Sequence, residues 1–428
     1  MSDSITPPGG FENSPAAGKP SSSEKRPRVL SGMRPTGRLH IGHYFGALQN
    51  WVKMQETHDC FYCVVDWHAL TTHYEDTGSI AQNVLEVATD WLAVGLDPER
   101  ATLFLQSSVL EHAELHLLLS MVTPLSWLER VPTYKEQIEN LRERDLGTYG
   151  FLGYPLLQTA DIVLYGEPDR VIEVPVGEDQ VPHVELAREV VRRFNTQFGF
   201  EVRIPAGKAT DTVRLLEKVG VKQSAIDAAA GHDERVVLFR KRALEIGMAN
   251  FLSELGEDKK YFRVGQVLRE PDVKLTETPR LPGTDGRRMA KSYGNAIWLS
   301  EPVEDIRKKV RNMLTDPQRV RRTDPGRPEI CPVFYYHRVF SDAGTVAEID
   351  RDCRTAGIGC VDCKSKMADG LVRWIEPIQE RRKEFEAHPG KVWDILDAGS
   401  KRAGVTAKRT MKRVRDAIFD WDSVRTGR

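Results

Sequence analysis

Two short segments of this chain carry residue types suited to handling phosphates. The first is Gly32-Met33-Arg34-Pro35-Thr36-Gly37-Arg38-Leu39-His40-Ile41-Gly42-His43. His40 and His43 are three residues apart, which puts two side chains on one face of a helix. Free backbone N–H groups and the dipole at a helix start favour an anion, and an imidazole can donate a hydrogen bond to a phosphate oxygen. Gly42 leaves room for a flat ring to approach the backbone. The second segment is Gly283-Thr284-Asp285-Gly286-Arg287-Arg288-Met289-Ala290-Lys291-Ser292, a glycine-rich loop in which Arg288 and Lys291 are positioned to close over a triphosphate. Adenylyl and phosphoryl transfer need positive charge where negative charge builds up. Taken singly, each has an ordinary explanation: a lone helical histidine is usually structural, and basic loops are common.

A third set is Cys331, Cys353, Cys360 and Cys363, separated by 21, 6 and 2 residues. In a reducing compartment such a group points to metal ligands more than to disulfides. Four thiolates suit either tetrahedral zinc or a [4Fe-4S] cluster, and ligand chemistry alone does not choose between them.

The elements that must hold these residues can be read from hydrophobic spacing. Residues 1–27 are rich in Ser, Pro and Gly and read as a disordered tail. Val29-Leu30-Ser31 reads as a strand, followed by a turn at Pro35 and Gly37 and a helix from about His40. Cys60 to Asp66 reads as a buried strand, and Thr102 to Gln106 as another. Ile80, Val84, Val87 and Trp91 recur at helical spacing, with Gly95 suited to end that helix. Strands alternating with amphipathic helices predict an α/β fold, a doubly wound parallel sheet of Rossmann type, which binds ligand beyond the carboxyl ends of its strands. Residues 206–265 are charged and helical without a chemical motif. From about 305 onward helix dominates, and Ala407, Met411, Val414 and Ile418 form a packing stripe.

Charged residues make up 29% of the 428 positions and hydrophobic ones 40%, a globular composition. No apolar run is long enough to span a bilayer and the first 27 residues lack an export signal, so the expected location is cytoplasmic. The net charge of −1 gives no hint of a nucleic-acid partner, but its distribution does. Seven basic residues between Arg307 and Arg322 face one acid, Asp316, and nine from Lys401 onward face three acids. Such patches attract phosphates, although a solvated helix face explains them equally well.

Together the two phosphate segments resemble the paired signatures of class I aminoacyl-tRNA synthetases: a complete His-Ile-Gly-His at 40–43 and Arg-Met-Ala-Lys-Ser at 288–292. The closer resemblance is to the tryptophanyl-tRNA synthetase family, from about Arg28 to the C-terminus apart from 206–265. It rests also on Val65-Asp66-Trp67-His68-Ala69-Leu70, Tyr154-Pro155-Leu156-Leu157-Gln158-Thr159-Ala160-Asp161, Val174-Pro175-Val176-Gly177-Glu178-Asp179-Gln180 and Arg321-Arg322-Thr323-Asp324-Pro325-Gly326. The resemblance implies a Rossmann-type catalytic domain at 28–305, with 206–265 as an insertion, and a helical anticodon-binding domain at 306–428. It implies ATP with Mg2+, L-tryptophan and tRNA(Trp) as substrates, and a homodimer. His40, His43, Arg288, Lys291 and Lys135 would act on the phosphates. Arg34, Thr36, Gly42, Gly177, Asp179, Gln180, Met289 and Ser292 would complete the ATP site. Asp161 would accept the indole N–H, with His68, Gln158 and Gln180 around it; indole is a donor only and a carboxylate an acceptor only. A subset of bacterial members carries a [4Fe-4S] cluster on a very similar cysteine spacing, so the resemblance favours the cluster over zinc.

Two departures stand out. Arg288 replaces the usual first lysine of the loop and Ala290 its serine, which keeps charge and loses a hydroxyl. A tyrosyl-tRNA synthetase and a non-charging tRNA- or amino-acid-binding paralogue are the competing readings. Cys60 and Cys63 are expected to be buried thiols, and His112-Ala113-Glu114-Leu115-His116 lacks the zincin order and is not expected to hold a metal.

Overall fold

The computed structural model describes residues 25–131, 147–204, 209–276, 281–419 and 421. The expected tail up to residue 24 and Lys135 therefore lie outside the described residues. Five parallel strands form one sheet: β1 (Arg28–Met33), β2 (Asp59–Val64), β3 (Ala101–Leu105), β4 (Ile172–Val176) and, last in the chain, β7 (Asp272–Leu275). Their spatial order is β3-β2-β1-β4-β7, so the order reverses between β1 and β4. A short antiparallel pair, β5 (Phe200–Val202) and β6 (Phe262–Val264), stands apart from it.

Alternation along the strands sorts side chains onto two faces. Val29, Cys60, Tyr62, Val64 and Leu103 enter one core; Leu30, Phe61, Cys63, Val65 and Phe104 enter the other. The helices used below are α1 (Asp66–His73), α2 (Ile80–Ala93), α3 (Glu111–Ser120), α4 (Tyr154–Val163), α5 (Val181–Phe198), α6 (Ala209–Lys218), α7 (His232–Ile246), α8 (Met248–Leu255), α9 (Val303–Asn312), α10 (Pro332–Phe340), α11 (Ala343–Arg354), α12 (Cys360–Ala387) and α13 (Pro389–Phe419). The apolar stripe of α2 packs on the first core, and Gly95 leaves the helix at φ +105°, a conformation that disfavours side chains. Two expected strands end one or two residues early. Asp66 opens α1, where its Oδ1 accepts from Ser107 N at 3.0 Å, and Gln106 turns out of β3.

The C-terminal helices share the sheet's cores. Met367, Leu371 and Ile375 of α12 join the first; α13 contributes Val392 and Leu396 to the first and Ala403, Ala407, Met411 and Val414 to the second. Between them α13 crosses the edge strand β3. A Cβ on Gly399 would lie 1.7 Å from the Leu103 carbonyl oxygen, so only glycine permits this approach. Ser400 Oγ accepts from Leu105 N at 3.2 Å. An edge that would otherwise offer unpaired backbone groups is thereby covered.

β5, β6 and α6 to α8 build a third core around Phe200, Phe239, Phe251 and Phe262. The pairing of β5 with β6 closes this core. Among the described residues, no helix is long and apolar enough to cross a membrane.

Candidate active site

A cavity of about 450 Å³ opens where the sheet order reverses. Its walls are the carboxyl ends of β1, β2 and β4 (Gly32, Cys63, Val176) with Gly177, α1 (His68, Thr71) and α4 (Tyr154, Gln158, Asp161). Crevices at such reversal points are the ordinary ligand site of open parallel sheets. The helix after β1 includes a π turn over Tyr44–Leu48, and its wider winding brings Gly46 and Ala47 to the rim.

Asp161 is the floor of this cavity and is nearly inaccessible to water. Gln106 Nε2 donates to both carboxylate oxygens at 2.8 and 2.9 Å, His112 Nδ1 lies 2.7 Å from Oδ1, and His68 Nε2 lies 2.9 Å from Oδ2. Burial alone would raise its pKa; hydrogen bonds and the fields of His112 and His68 outweigh it and hold the carboxyl well below the usual range. The result is an ionised acceptor in a dry site, with donors of neutral or titratable type and no Lys or Arg among them. Gln158, Gln180 and Arg34 line the same cavity, and Asp179 is exposed at its rim beside Gln180, whose Nε2 donates to it at 3.1 Å.

The two phosphate segments meet on one side of this cavity. Lys291 Nζ donates to the carbonyls of Thr36 and Gly37 at 2.7 and 3.2 Å and to Thr36 Oγ1 at 3.2 Å. The rings of His40 and His43 stack with centroids 3.7 Å apart. His40 N donates to His43 Nδ1 at 3.1 Å, which leaves Nε2 of a neutral His43 as the N–H donor. Burial, then Lys291, pushes His40 down to about 4; burial, then His40 and Lys291, pushes His43 down to about 3. Both rings are therefore neutral donors at physiological pH. Burial pushes the Lys291 ammonium down to about 8. Gly42 is tightly enclosed: a Cβ there would meet His40 Nδ1 at 2.9 Å and Met289 Sδ at 3.3 Å. Arg288 and Ser292 are exposed and stand outside this cluster. The loop is braced by Asn295, whose Oδ1 accepts from Ala290 N at 2.9 Å and whose Nδ2 donates to the Arg288 carbonyl at 3.0 Å.

Spacing along the chain gave no sign of Gln106, His112 or Tyr165. His112 Nε2 lies 2.7 Å from the Tyr165 hydroxyl, so this helix carries a partner of Asp161 rather than a feature of its own. Cys60 and Cys63 are buried, as their apolar strand requires, and burial raises both thiols, Cys60 to about 11.

The four C-terminal cysteines gather from the start of α10, α11 and the first turn of α12. Burial, then Cys331, Cys353 and Cys360, pushes the Cys363 thiol up to about 12. Arg319 Nη1 donates to Cys353 Sγ at 3.6 Å, and a Cβ on Gly326 would meet that sulfur at 2.5 Å. Among the described residues, no three His, Cys, Asp or Glu side chains stand in the arrangement of a metal site. The donor chemistry suits a thiophilic metal or cluster; ligand geometry is not preformed.

The chain matches the family described as tRNA synthetases class I (W and Y) over residues 22–218 and 254–375. A tryptophan–tRNA ligase of Ralstonia nicotianae is 51% identical over 401 residues, covering 91% of this chain and 98% of that one. One of Thermotoga maritima is 42% identical over 393 residues, with 91% and 98% covered. A solved tryptophanyl-tRNA synthetase of Campylobacter jejuni, complexed with ADP and tryptophan, superposes with a TM-score of 0.70 at 27% identity, covering 91% and 99%. With the sheet reversal, the paired signatures and these relatives all in agreement, the chain belongs to the tryptophanyl-tRNA synthetase family of class I.

Proposed function

We propose that this chain is a tryptophan–tRNA ligase, which activates L-tryptophan with ATP and transfers it to tRNA(Trp). The observation that carries the reading is the buried, ionised Asp161 at the end of an otherwise largely apolar cavity. An indole N–H offers such an acceptor a further donor, and a phenyl ring offers none. His68, Gln158 and Gln180 complete the amino-acid site. The nucleotide lies over Arg34, Thr36, Gly42, His43, Gly177, Asp179, Gln180, Met289 and Lys291, with Arg288 and Ser292 on the exposed part of the loop and Lys135 as a further cation.

In the first step a tryptophan carboxylate oxygen attacks the α-phosphorus of MgATP, a new O–P bond forms, and the bond to the β-phosphate breaks, releasing pyrophosphate. His40, His43, Lys291 and Arg288 supply donors and charge as negative charge shifts onto the leaving group. In the second step a terminal ribose hydroxyl of tRNA takes the acyl group and AMP leaves. Catalysis arises from positioning and charge, with no covalent enzyme intermediate.

We assign residues 28–305 to catalysis and 306–428 to anticodon binding. The exposed Arg311, Arg321 and Arg322 near the cysteines suit an RNA phosphate backbone. Cys331, Cys353, Cys360 and Cys363 are the proposed ligands of a [4Fe-4S] cluster, which when bound would tie three helices together; zinc in anaerobically purified protein would overturn this. A homodimer is supported by the exposed Leu110, Leu117 and Met121 along α3 and its ends, and by the exposed Leu125 that opens the next helix, Leu125–Glu129. The reading carries a cytoplasmic location, where tRNA and ATP are available.

Amino-acid-dependent pyrophosphate exchange across all twenty amino acids tests the assignment. Exchange with tryptophan alone is expected. Exchange with tyrosine instead, or tight tRNA binding without aminoacylation, would replace it with one of the competing readings.

A further inference from the structure

Behind Asp161, on the side away from the cavity, lies a chain of polar groups that no ligand can reach. His112, the second residue of α3, is fully buried and does not line the cavity. Its ring is sandwiched among Phe104 and Tyr165, with centroids at 6.1 and 5.5 Å. Nδ1 lies 2.7 Å from Asp161 Oδ1 and Nε2 2.7 Å from the hydroxyl of Tyr165, itself fully buried beyond the end of α4.

We propose that His112, oriented by Tyr165, is a positioning residue for amino-acid recognition, fixing the rotation of the Asp161 carboxylate toward the indole N–H. The inference rests on Asp161 being the indole acceptor. A carboxylate can only accept, so His112 Nδ1 must carry a proton. On the other side of the ring, Nε2 is held by the Tyr165 hydroxyl 2.7 Å away. Burial raises the Tyr165 phenol well above its ordinary pKa, so the hydroxyl keeps its proton. Each link thereby fixes the next: Tyr165 orients the ring, the ring bonds Oδ1, and Oδ1 fixes the rotation of the carboxylate. Orientation by a second group beyond the contacting residue is a general device for setting the aim of a functional side chain. His68 differs, since it borders the cavity and touches the ligand space directly.

The test compares tryptophan with its benzothienyl analogue, which has sulfur in place of the indole N–H, in pyrophosphate exchange with the full-length protein. For His112→Leu, kcat/KM for tryptophan should fall by roughly 10- to 100-fold, the range for losing a hydrogen bond to a buried charged group. The analogue, which makes no N–H bond, should change by less than about threefold, and the KM for ATP should hold steady. His112→Asn returns an N–H near the position of Nδ1 and should recover most of the loss. Tyr165→Phe removes one hydroxyl with little change of shape and should lower the tryptophan-to-analogue ratio by a smaller factor, so it remains decisive if His112→Leu does not fold. Equal losses with both substrates in His112→Leu, no recovery in His112→Asn, or an unchanged ratio in Tyr165→Phe would overturn the proposal. Asp161→Ala separates the two layers. If it discriminates no less than wild type, the indole assignment itself fails; if it abolishes the ratio and the His112 and Tyr165 variants do not move it, only this inference fails.

Discussion

Asp161, under the cavity, and Asp90, behind the turn that carries His40, are both carboxylates almost closed off from water, and they are satisfied by opposite means. Asp161 receives Gln106, His68 and His112. Asp90 receives the guanidinium of Arg382, from α12, and the backbone N–H of Leu39 at 2.7 Å. Arg382 also binds Glu86 and, at 2.8 Å, Glu386, while Arg38 lies 3.3 Å from Glu86. Burial pushes Asp90 up to about 6, with Arg382 and the Leu39 N–H pulling against it. A carboxylate met only by side chains without a fixed charge keeps a charge to offer an incoming dipole. One met by a guanidinium has spent it on a tie between two parts of the fold. Here that tie joins the helix bearing Cys360 and Cys363 to the residue before His40.

Substitutions should separate the two roles. Asp161→Ala should lower kcat/KM for tryptophan by about 10³-fold or more, as expected when a site built around one substrate N–H loses its acceptor, with the ATP KM little changed. A loss that appeared equally in ATP binding would break the distinction. Arg382→Met strands the Asp90 carboxylate and should cost about 3–5 kcal/mol in denaturant unfolding. Adding Asp90→Asn should recover part of that, and in neither variant should the tryptophan KM follow the stability.

Lys291 sharpens the contrast at the phosphate end. Its ammonium is pushed down to about 8 by burial, and triphosphate would restore its charge, so nucleotide binding should take up protons. The KM for ATP should rise as pH passes through about 8, and Lys291→Arg, which stays charged, should flatten that profile.

The smallest effect concerns stability against pH. Asp90 has a raised folded pKa, so its contribution is most favourable below the ordinary carboxylate value near 4 and is lost as pH rises through about 6. Asp161 has a depressed one, so its contribution is present above about pH 4 and is lost as pH falls toward the folded value. Asp90→Asn should therefore remove a decline between about pH 4 and 6, visible in unfolding midpoints across that window.

Much of the sheet was legible. Val29-Leu30-Ser31, Cys60 onward and Thr102 onward lie in β1, β2 and β3, because parallel strands buried on both faces need continuous apolar runs. The helical spacing from Ile80 to Trp91 appears as α2 for the corresponding reason. His68, Gln158, Asp161 and Gln180 share one cavity, and Lys291 touches the turn before His40 across 255 positions. Less legible was the role of the chain beyond 305, which spacing presents as a run of helices and which α12 and α13 in fact fold into both cores of the sheet.

Local periodicity and motif order thus determined the strands, the helices and the family, since these depend on residues close together or on segments copied whole. Gly399 against the Leu103 carbonyl, Arg382 on Asp90, and the line from Tyr165 through His112 to Asp161 were decided by tertiary structure alone. Each joins residues 49 to 296 positions apart through a single side chain or its absence. Such a contact leaves no periodic trace in the chain; it becomes visible only when packing removes water and requires every buried polar group to find its partner.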